Sequence, residues 1–244
     1  MNLHFDSALF WFPRIQKAGL PVPRTVFIPY DYRAVLPIFD GLECPEYNRL
    51  FYSVTAAAAN IGLPCFLRSD VTSAKHSGPK AYKITAGGDL NDQLAKTLEE
   101  TELKTFCHYE KPKALMVREW LDLRHEFTAF NGLAISREFR VFADNLRVFC
   151  VHPYWPKEAI KGYTDDPNWE KKVDDLSVIS PTTLISIGET AIAAAKAAEG
   201  GKWSVDFAQD AAGKWWLTDM ALAQSSYHFP GCENNFKKEF SERA

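Results

Sequence analysis

The sequence predicts an α+β fold with mainly antiparallel sheets. Three observations carry this. Short helical and extended patterns alternate through the first half, and a cluster of aromatic and β-branched runs begins at Glu126. A single alanine-rich stretch, Pro181 to Glu199, suits a helix packed closely on a sheet. At 244 residues the chain fits one large domain or two small ones. Its 46% hydrophobic content supplies a core and excludes a disordered chain.

The elements follow in order. Ser7 to Lys17 reads as an apolar helix. Pro21 and Pro23 cannot lie inside a helix, so they fix an extended entry to a strand at Arg24 to Ile28. A second helix covers Glu46 to Asn60, with Gly62 as its stop. The middle reads strand (Leu63 to Ser69), polar loop (Thr72 to Lys80), strand (Ala81 to Thr85), helix and strand (Ala114 to Leu121). The helix runs from Leu90 to Leu103, capped by Asp89, with Leu90, Leu94 and Leu98 on one face.

The remainder is richer in strands. Glu126 to Phe130, Glu138 to Ala143 and Leu146 to His152 are extended runs, and Asp144-Asn145 joins the last two as a hairpin turn. His152 to Ser180 reads as one long polar connection, which in a compact domain points to function. Ser180 and Pro181 are a helix cap and first-turn proline, and Gly200-Gly201 ends that helix. A final hairpin pairs Lys202 to Ala208 with Lys214 to Met220 around Asp210 to Gly213.

Charge and cysteine usage narrow the function. A net charge of −3 provides no global basic field, which disfavours nucleic acid as a partner. No apolar run reaches the length of a bilayer span, and Met1 to Asp6 lacks the pattern of a signal peptide, so a cytoplasmic protein without a membrane partner is expected. Cys44, Cys65, Cys107, Cys150 and Cys232 are far apart and include no CxxC pair. They read as buried free thiols in a reducing compartment, ahead of disulfides or a metal site. The histidines show no H-x-x-x-H pattern and no Cys/His cluster is expected, so neither is zinc. Neither G-x-S-x-G nor G-x-G-x-x-G occurs.

Three groups of residues carry chemistry. Asp206 and Asp219 lie on the two strands of the final hairpin, where they can approach each other. Two adjacent carboxylates repel unless a cation lies between them, and Mg²⁺ favours such ligands. On spacing alone they also read as two unrelated exposed acids. Arg68 ends an apolar strand, and Lys75 lies in a loop of small residues, followed by Lys80 and Lys83. Such a loop can wrap phosphates, or be a solvated turn. Strand alternation puts Glu138 and Arg140 on one face and Phe139 and Val141 on the other, beside Arg137. That is a polar cleft wall or a surface ion pair.

In order along the chain, these segments resemble the ATP-grasp superfamily. Gly19 to Thr25 is similar to its lead-in, and Pro64 to Ser69 to the strand of the first phosphate-binding cation, here Arg68. Ser73 to Gly78, with Lys75, resembles the phosphate loop, and Val117 to Leu121 the adenine hinge. His125 to Thr128 resembles the segment whose glutamate binds ribose, and the final hairpin the metal-binding strands. A closer resemblance is to a clade marked by one arginine and two lysines, common in phage and bacteria. The eukaryotic cell-division-cycle ATP-grasp proteins share an E-F-R-x-F segment like Glu138 to Phe142.

The resemblance implies a nucleotide held between two α+β subdomains. Residues 1–62 would be a lead-in, 63–123 the small subdomain, 124–232 the large subdomain and 233–244 a tail. It implies adenine recognition by backbone around Glu119 and Leu121, with Trp120 in the core or against the base, and ribose recognition by Glu126. Arg68, Lys75 and Lys83 (or Lys80) would neutralise phosphates. Asp206 and Asp219 would hold Mg²⁺, and Arg140 with Arg137 would stabilise the transferred phosphoryl group. The implied activity is an ATP- and Mg²⁺-dependent, ADP-forming carboxylate–amine ligase acting through an acyl phosphate, on a substrate that includes peptides or proteins as candidates. A nucleotide-binding assembly factor without turnover and a phosphotransferase are the alternatives. The likeness breaks at Ala221, where the family's acid-x-asparagine pattern would place a metal ligand.

Overall fold

The computed structural model describes residues 5–72, 83–108 and 111–234. In chain order the elements are α1 (Ala8–Lys17), β1 (Thr25–Pro29), α2 (Tyr32–Val35), α3 (Pro45–Ile61), β2 (Cys65–Ser69), β3 (Lys83–Ile84), α4 (Leu90–His108), β4 (Ala114–Glu119), β5 (His125–Ala129), β6 (Leu133–Ser136), β7 (Glu138–Ala143), β8 (Val148–Pro153), α5 (Lys157–Ile160), α6 (Trp169–Leu176), α7 (Pro181–Ala197), β9 (Trp203–Gln209) and β10 (Trp215–Leu222).

The chain divides into two compact units. One comprises Met1–Val22, Asp122–Ala129 and Ala134–Ala244; the other comprises Pro23–Leu121 and Phe130–Leu133. The second unit is built on a four-stranded antiparallel sheet in the order β1-β4-β2-β3. Alternation sends Cys65, Leu67, Ile84, Leu115 and Val117 to one face, where they join Leu50, Val54, Leu94 and Leu98 of α3 and α4 in a single core. The three leucines expected on one face of α4 are all buried there. Gly62 closes α3 in a left-handed conformation, φ +96°, which a residue with a Cβ adopts only under strain.

The first unit holds a second four-stranded antiparallel sheet, β10-β9-β7-β8. Phe139, Val141, Val205, Phe207 and Trp203 are buried on one face, against α7 and α1. Small residues let α7 approach: a Cβ on Gly188 would lie 3.3 Å from Val148 Cγ2. Ser180 caps this helix, its Oγ accepting the Thr183 N–H at 3.2 Å, and Pro181 occupies the first turn, as the sequence indicates. The opposite face of the sheet carries the polar residues considered below.

Several expectations need correction. The connection from His152 to Ser180 is not one loop, since it contains α5 and α6. Trp169, Val173 and Leu176 recur at helical spacing, and Val173 and Leu176 are buried, which is the amphipathic signal that charged neighbours obscured. Strand β6, with buried Leu133, Ile135 and Ser136, was not anticipated. Helix α4 continues to His108. Of the polar loop expected at Thr72 to Lys80, all but Thr72 lies outside the described residues, as do residues 81 and 82 of the strand expected at Ala81 to Thr85 and the expected tail from residue 235 onward. No single helix among the described residues is long and apolar enough to cross a membrane.

Candidate functional site

Register on the second sheet determines which side chains meet. Asp219 pairs with Asp206, Asp206 with Arg140, and Arg140 with His152. Residues directly opposite one another point to the same face. Glu138, Arg140, Phe142, Ser204, Asp206, Asp219 and Ala221 therefore line one surface, together with Cys150 and His152 on the edge strand β8. The expected split, with Glu138 and Arg140 on one face and Phe139 and Val141 on the other, is what the register shows.

Arg140 is the hub of this face. Its Nε donates to Asp206 Oδ1 at 2.7 Å and its Nη2 to Oδ2 at 2.9 Å, a bidentate ion pair. Asp206 is buried and Arg140 half-buried, with side-chain exposures of 5% and 17%. Nη1 donates to the Tyr227 carbonyl at 3.3 Å, and the guanidinium lies 4.9 Å from the centre of the Tyr154 ring. Burial opposes the charged guanidinium, but Asp206, Tyr154 and Asp219 together hold its pKa above the ordinary arginine value. A bulge in β10 falls between Leu217 and Asp219. Thr218 is the extra residue, and its Oγ donates to the Asp206 carbonyl at 3.2 Å. Such bulges redirect a neighbouring side chain. Glu138 is buried, and its Oε1 accepts from Ser136 Oγ at 2.5 Å and Trp155 Nε1 at 3.2 Å.

The predicted residues fare differently. Asp206, Asp219 and Arg140 are brought together. Arg137 is not part of that group: it precedes β7, and its guanidinium donates to the Val178 carbonyl. Burial, with Arg124 nearby, lowers its pKa. Glu126 is exposed on β5.

On the first sheet, Arg68 lies on β2 opposite Met116, and Phe66 lies between Lys83 and Arg118. Arg68, Lys83 and Arg118 thus share the face turned away from α3 and α4. Arg68 and Arg118 are buried, at 5% and 7% exposure. Arg118, which the sequence reading passed over, could have been found by counting two residues along β4 from Met116. Its Nε lies 3.2 Å from Thr25 Oγ1. Trp120 is half-buried rather than in the core, and Lys83 Nζ lies 4.2 Å from its ring centre. The Glu119 N–H donates to the Arg24 carbonyl at 2.9 Å. Its carboxylate accepts from Arg24 N at 2.7 Å and Arg24 Nε at 3.0 Å. Leu121 follows β4 and is half-buried. Lys75 and Lys80 lie outside the described residues.

The two carboxylates suit a divalent cation. Arg140 engages both oxygens of Asp206, but each carboxylate oxygen retains a second lone pair, and Asp219 faces it across the ladder. Ala221 contributes no ligand. Mg²⁺ is commonly held by one or two carboxylates, with substrate phosphates and water completing the shell, and the donor set fits that mode.

A second cluster, absent from the sequence reading, lies on the same sheet face. Cys150, His152, His228 and Cys232 place one ligand atom each within 4.8 Å of all the others. This overturns the expectation of no Cys/His cluster, because fold contacts rather than chain spacing assemble it.

Comparison with solved structures places these sheets in a known architecture: the chain has the ATP-grasp fold. VanG D-Ala:D-Ser ligase from Enterococcus faecalis superposes with TM-score 0.52 at 14% identity, covering 88% of this chain and 51% of that one. The ATP-grasp ligase PsnB, complexed with a minimal precursor, gives TM-score 0.50 at 14% identity over 94% of this chain and 55% of PsnB. The N5-carboxyaminoimidazole synthase from Aspergillus clavatus, in complex with ADP, gives TM-score 0.50 at 12% identity, with coverage of 89% and 44%. This chain therefore spans about half the length of these proteins. No family model and no curated protein matches the sequence.

Proposed function

We propose that this chain is an ATP- and Mg²⁺-dependent ligase that joins a carboxylate to an amine, with a peptide or protein as the favoured substrate class. The observation that carries this reading is the Arg140–Asp206 ion pair facing Asp219 on the polar face of the second sheet. The fold similarity to ligases supports it.

In this reaction a carboxylate oxygen of the substrate attacks the γ-phosphorus of ATP, and ADP leaves with the bridging oxygen. The amine then attacks the acyl carbon, and inorganic phosphate departs as the amide forms. Both steps gather negative charge on phosphate oxygens, so catalysis is positioning and electrostatic stabilisation. No nucleophilic side chain is required. Arg140 presents a guanidinium pre-oriented by Asp206, Tyr154 and the Tyr227 carbonyl, which costs little reorganisation as charge develops. Asp206 and Asp219 would hold Mg²⁺, which supplies further charge neutralisation to the phosphates. Arg68 and Lys83, with Lys75, serve as phosphate-binding cations, Trp120 and the backbone near Glu119 and Leu121 as the base contact, and Glu126 as the ribose acceptor. Arg137 is a second, remoter candidate for the phosphoryl group.

Ala221 favours a second reading, a nucleotide-binding assembly factor with no turnover, because it removes a third metal ligand. Thermal unfolding with ATP, with and without Mg²⁺ and with GTP as control, tests nucleotide binding. At a hundredfold excess over Kd, binding adds about 2.7 kcal/mol, a rise of about 5–10 °C for this size. A Mg²⁺-dependent, adenine-selective shift lost in D219N is the expected result; no shift with any nucleotide refutes both readings. ADP release that requires both a carboxylate and an amine then selects the ligase. Stoichiometric partner capture without ADP release selects the assembly factor.

A further inference from the structure

We propose that Cys150, His152, His228 and Cys232 form a four-ligand site for a zinc-class divalent cation, which ties the C-terminal segment to strand β8. The ligands come from two local pairs. Cys150 and His152 are two apart on β8, so strand alternation sends both to the same face, opposite Phe142 and Arg140. His228 and Cys232 flank a turn in which the Cys232 N–H donates to the Phe229 carbonyl at 3.3 Å and Gly231 takes φ +82°. That turn folds the second pair back onto the first.

The distances suit tetrahedral coordination. Zn–S bonds of about 2.3 Å and Zn–N bonds of about 2.0–2.1 Å put ligand atoms about 3.3–3.8 Å apart. Cys150 Sγ and His228 Nε2 are 3.2 Å apart, and all four ligand atoms lie within 4.8 Å of one another. The rings of His152 and His228 are nearly perpendicular, at 78° and 4.7 Å between centres, so two nitrogens reach one point without stacking. His152 Nε2 is buried and has no hydrogen-bond partner among the described residues, an orphaned lone pair that a metal would use.

The donor chemistry selects the ion. Two thiolates and two neutral imidazoles are a soft tetrahedral set, suited to zinc and unsuited to Mg²⁺ or Ca²⁺. Two thiolates also cancel the charge of a divalent ion, so a filled site adds no net charge beside Arg140. With four protein ligands the site has no open position for substrate, and its role is structural. Phe142 and Phe229 wall it, with ring centres 4.6 Å from His228 and 5.1 Å from His152. The same segment is held at Ser226, whose Oγ lies 2.6 Å from Ser204 Oγ, and at Asn234, whose Nδ2 donates to the Phe149 carbonyl at 3.0 Å. Tyr227, which contacts Arg140 through its carbonyl, lies within this stapled stretch.

The test uses the full chain purified in thiol reductant. Elemental analysis should find about one zinc per chain, and chelation should lower the midpoint of thermal unfolding by about 5–10 °C. Chelator-stripped protein reloaded with Co²⁺ should develop the intense visible bands of tetrahedral cobalt and a sulfur-to-cobalt charge-transfer band. The double variant C150S/C232S should lose the zinc and both optical features, while C44S, whose thiol lies against the Ala34 carbonyl in the core of the other unit, should keep them. Reduced wild-type protein that takes up neither metal overturns the proposal, independently of whether any variant folds. So does metal retained by C150S/C232S, a cobalt spectrum without sulfur charge transfer, or a Cys150–Cys232 disulfide in protein that binds no metal after reduction.

Discussion

Removing the Asp206 carboxylate tests the hub of the candidate site. D206A leaves the Arg140 guanidinium, 17% exposed, without its bidentate partner. Two unit charges about 4 Å apart attract by about 4 kcal/mol at an effective dielectric of about 20. Breaking a buried pair from one side costs about 3–5 kcal/mol, because the surviving charge stays desolvated. Asp219, Tyr154 and the Tyr227 carbonyl still face Arg140, which puts the expected loss near the lower end, about 3 kcal/mol. In a chain of this size that lowers the melting midpoint by about 6–12 °C. Urea unfolding followed by tryptophan fluorescence and circular dichroism measures it, and a double-mutant cycle with R140M isolates the pair. A loss under about 1 kcal/mol, or a coupling near zero, would refute the view that this pair is a desolvated unit. The double variant R140M/D206M carries a second lesson. Apolar replacement of a buried pair is often neutral or stabilising. A double variant as stable as wild type but blind to ATP would show that the pair is kept for charge on this face rather than for stability.

Three further outcomes follow from the folds of the two units. Burial pushes the Cys65 thiol from 9.0 up to about 11, so the native state holds this proton more tightly than the unfolded chain. The associated stability is complete below pH 9 and is lost as pH rises towards 11, by about 1 kcal/mol at pH 10; comparing wild type with C65A in urea at pH 8 and pH 10 should show it. S180A removes the cap on α7 and should cost about 1 kcal/mol, read as a drop of about 2–4 °C in the melting midpoint. L94A opens a cavity among Leu67, Leu115 and α3 and should cost about 2–5 kcal/mol in urea unfolding; a loss below 1 kcal/mol would contradict the packing of α4 on the first sheet.

Local signals wrote most of the fold into the sequence. Ser180-Pro181 and Gly200-Gly201 bracket α7 because a cap and a stop act within one turn of chain. Alternation along Glu138 to Ala143 predicted both faces of β7 because period two is intrinsic to a strand. Failures came where the local signal was weak. Helix α6 is only eight residues long and dense in charge, so its apolar stripe of Trp169, Val173 and Leu176 is easily read as loop. Strand β6 is four residues long, and its signal was lost between better-marked neighbours.

The two clusters on the second sheet show the limit in physical terms. The approach of Asp206 and Asp219 was legible in the hairpin, and the polar face of Arg140 in strand alternation, but the contact of Arg140 with Asp206 depends on β7 lying beside β9, which no local pattern states. The Cys/His quartet depends on β8 lying at the sheet edge and on the chain returning there after β10, a contact spanning 78 residues between Cys150 and His228. Each half nevertheless carries a local mark. Cys150-x-His152 on a strand shares one face, and His228-x-x-x-Cys232 straddles Pro230-Gly231, a turn that brings its ends together. A search for metal sites that demands the usual spacing within one segment discards both halves. One that accepts any pair of soft ligands made adjacent by a strand or a turn keeps them as candidates. The fold then has only to decide whether two such pairs meet, and here register and turn geometry bring them within 4.8 Å.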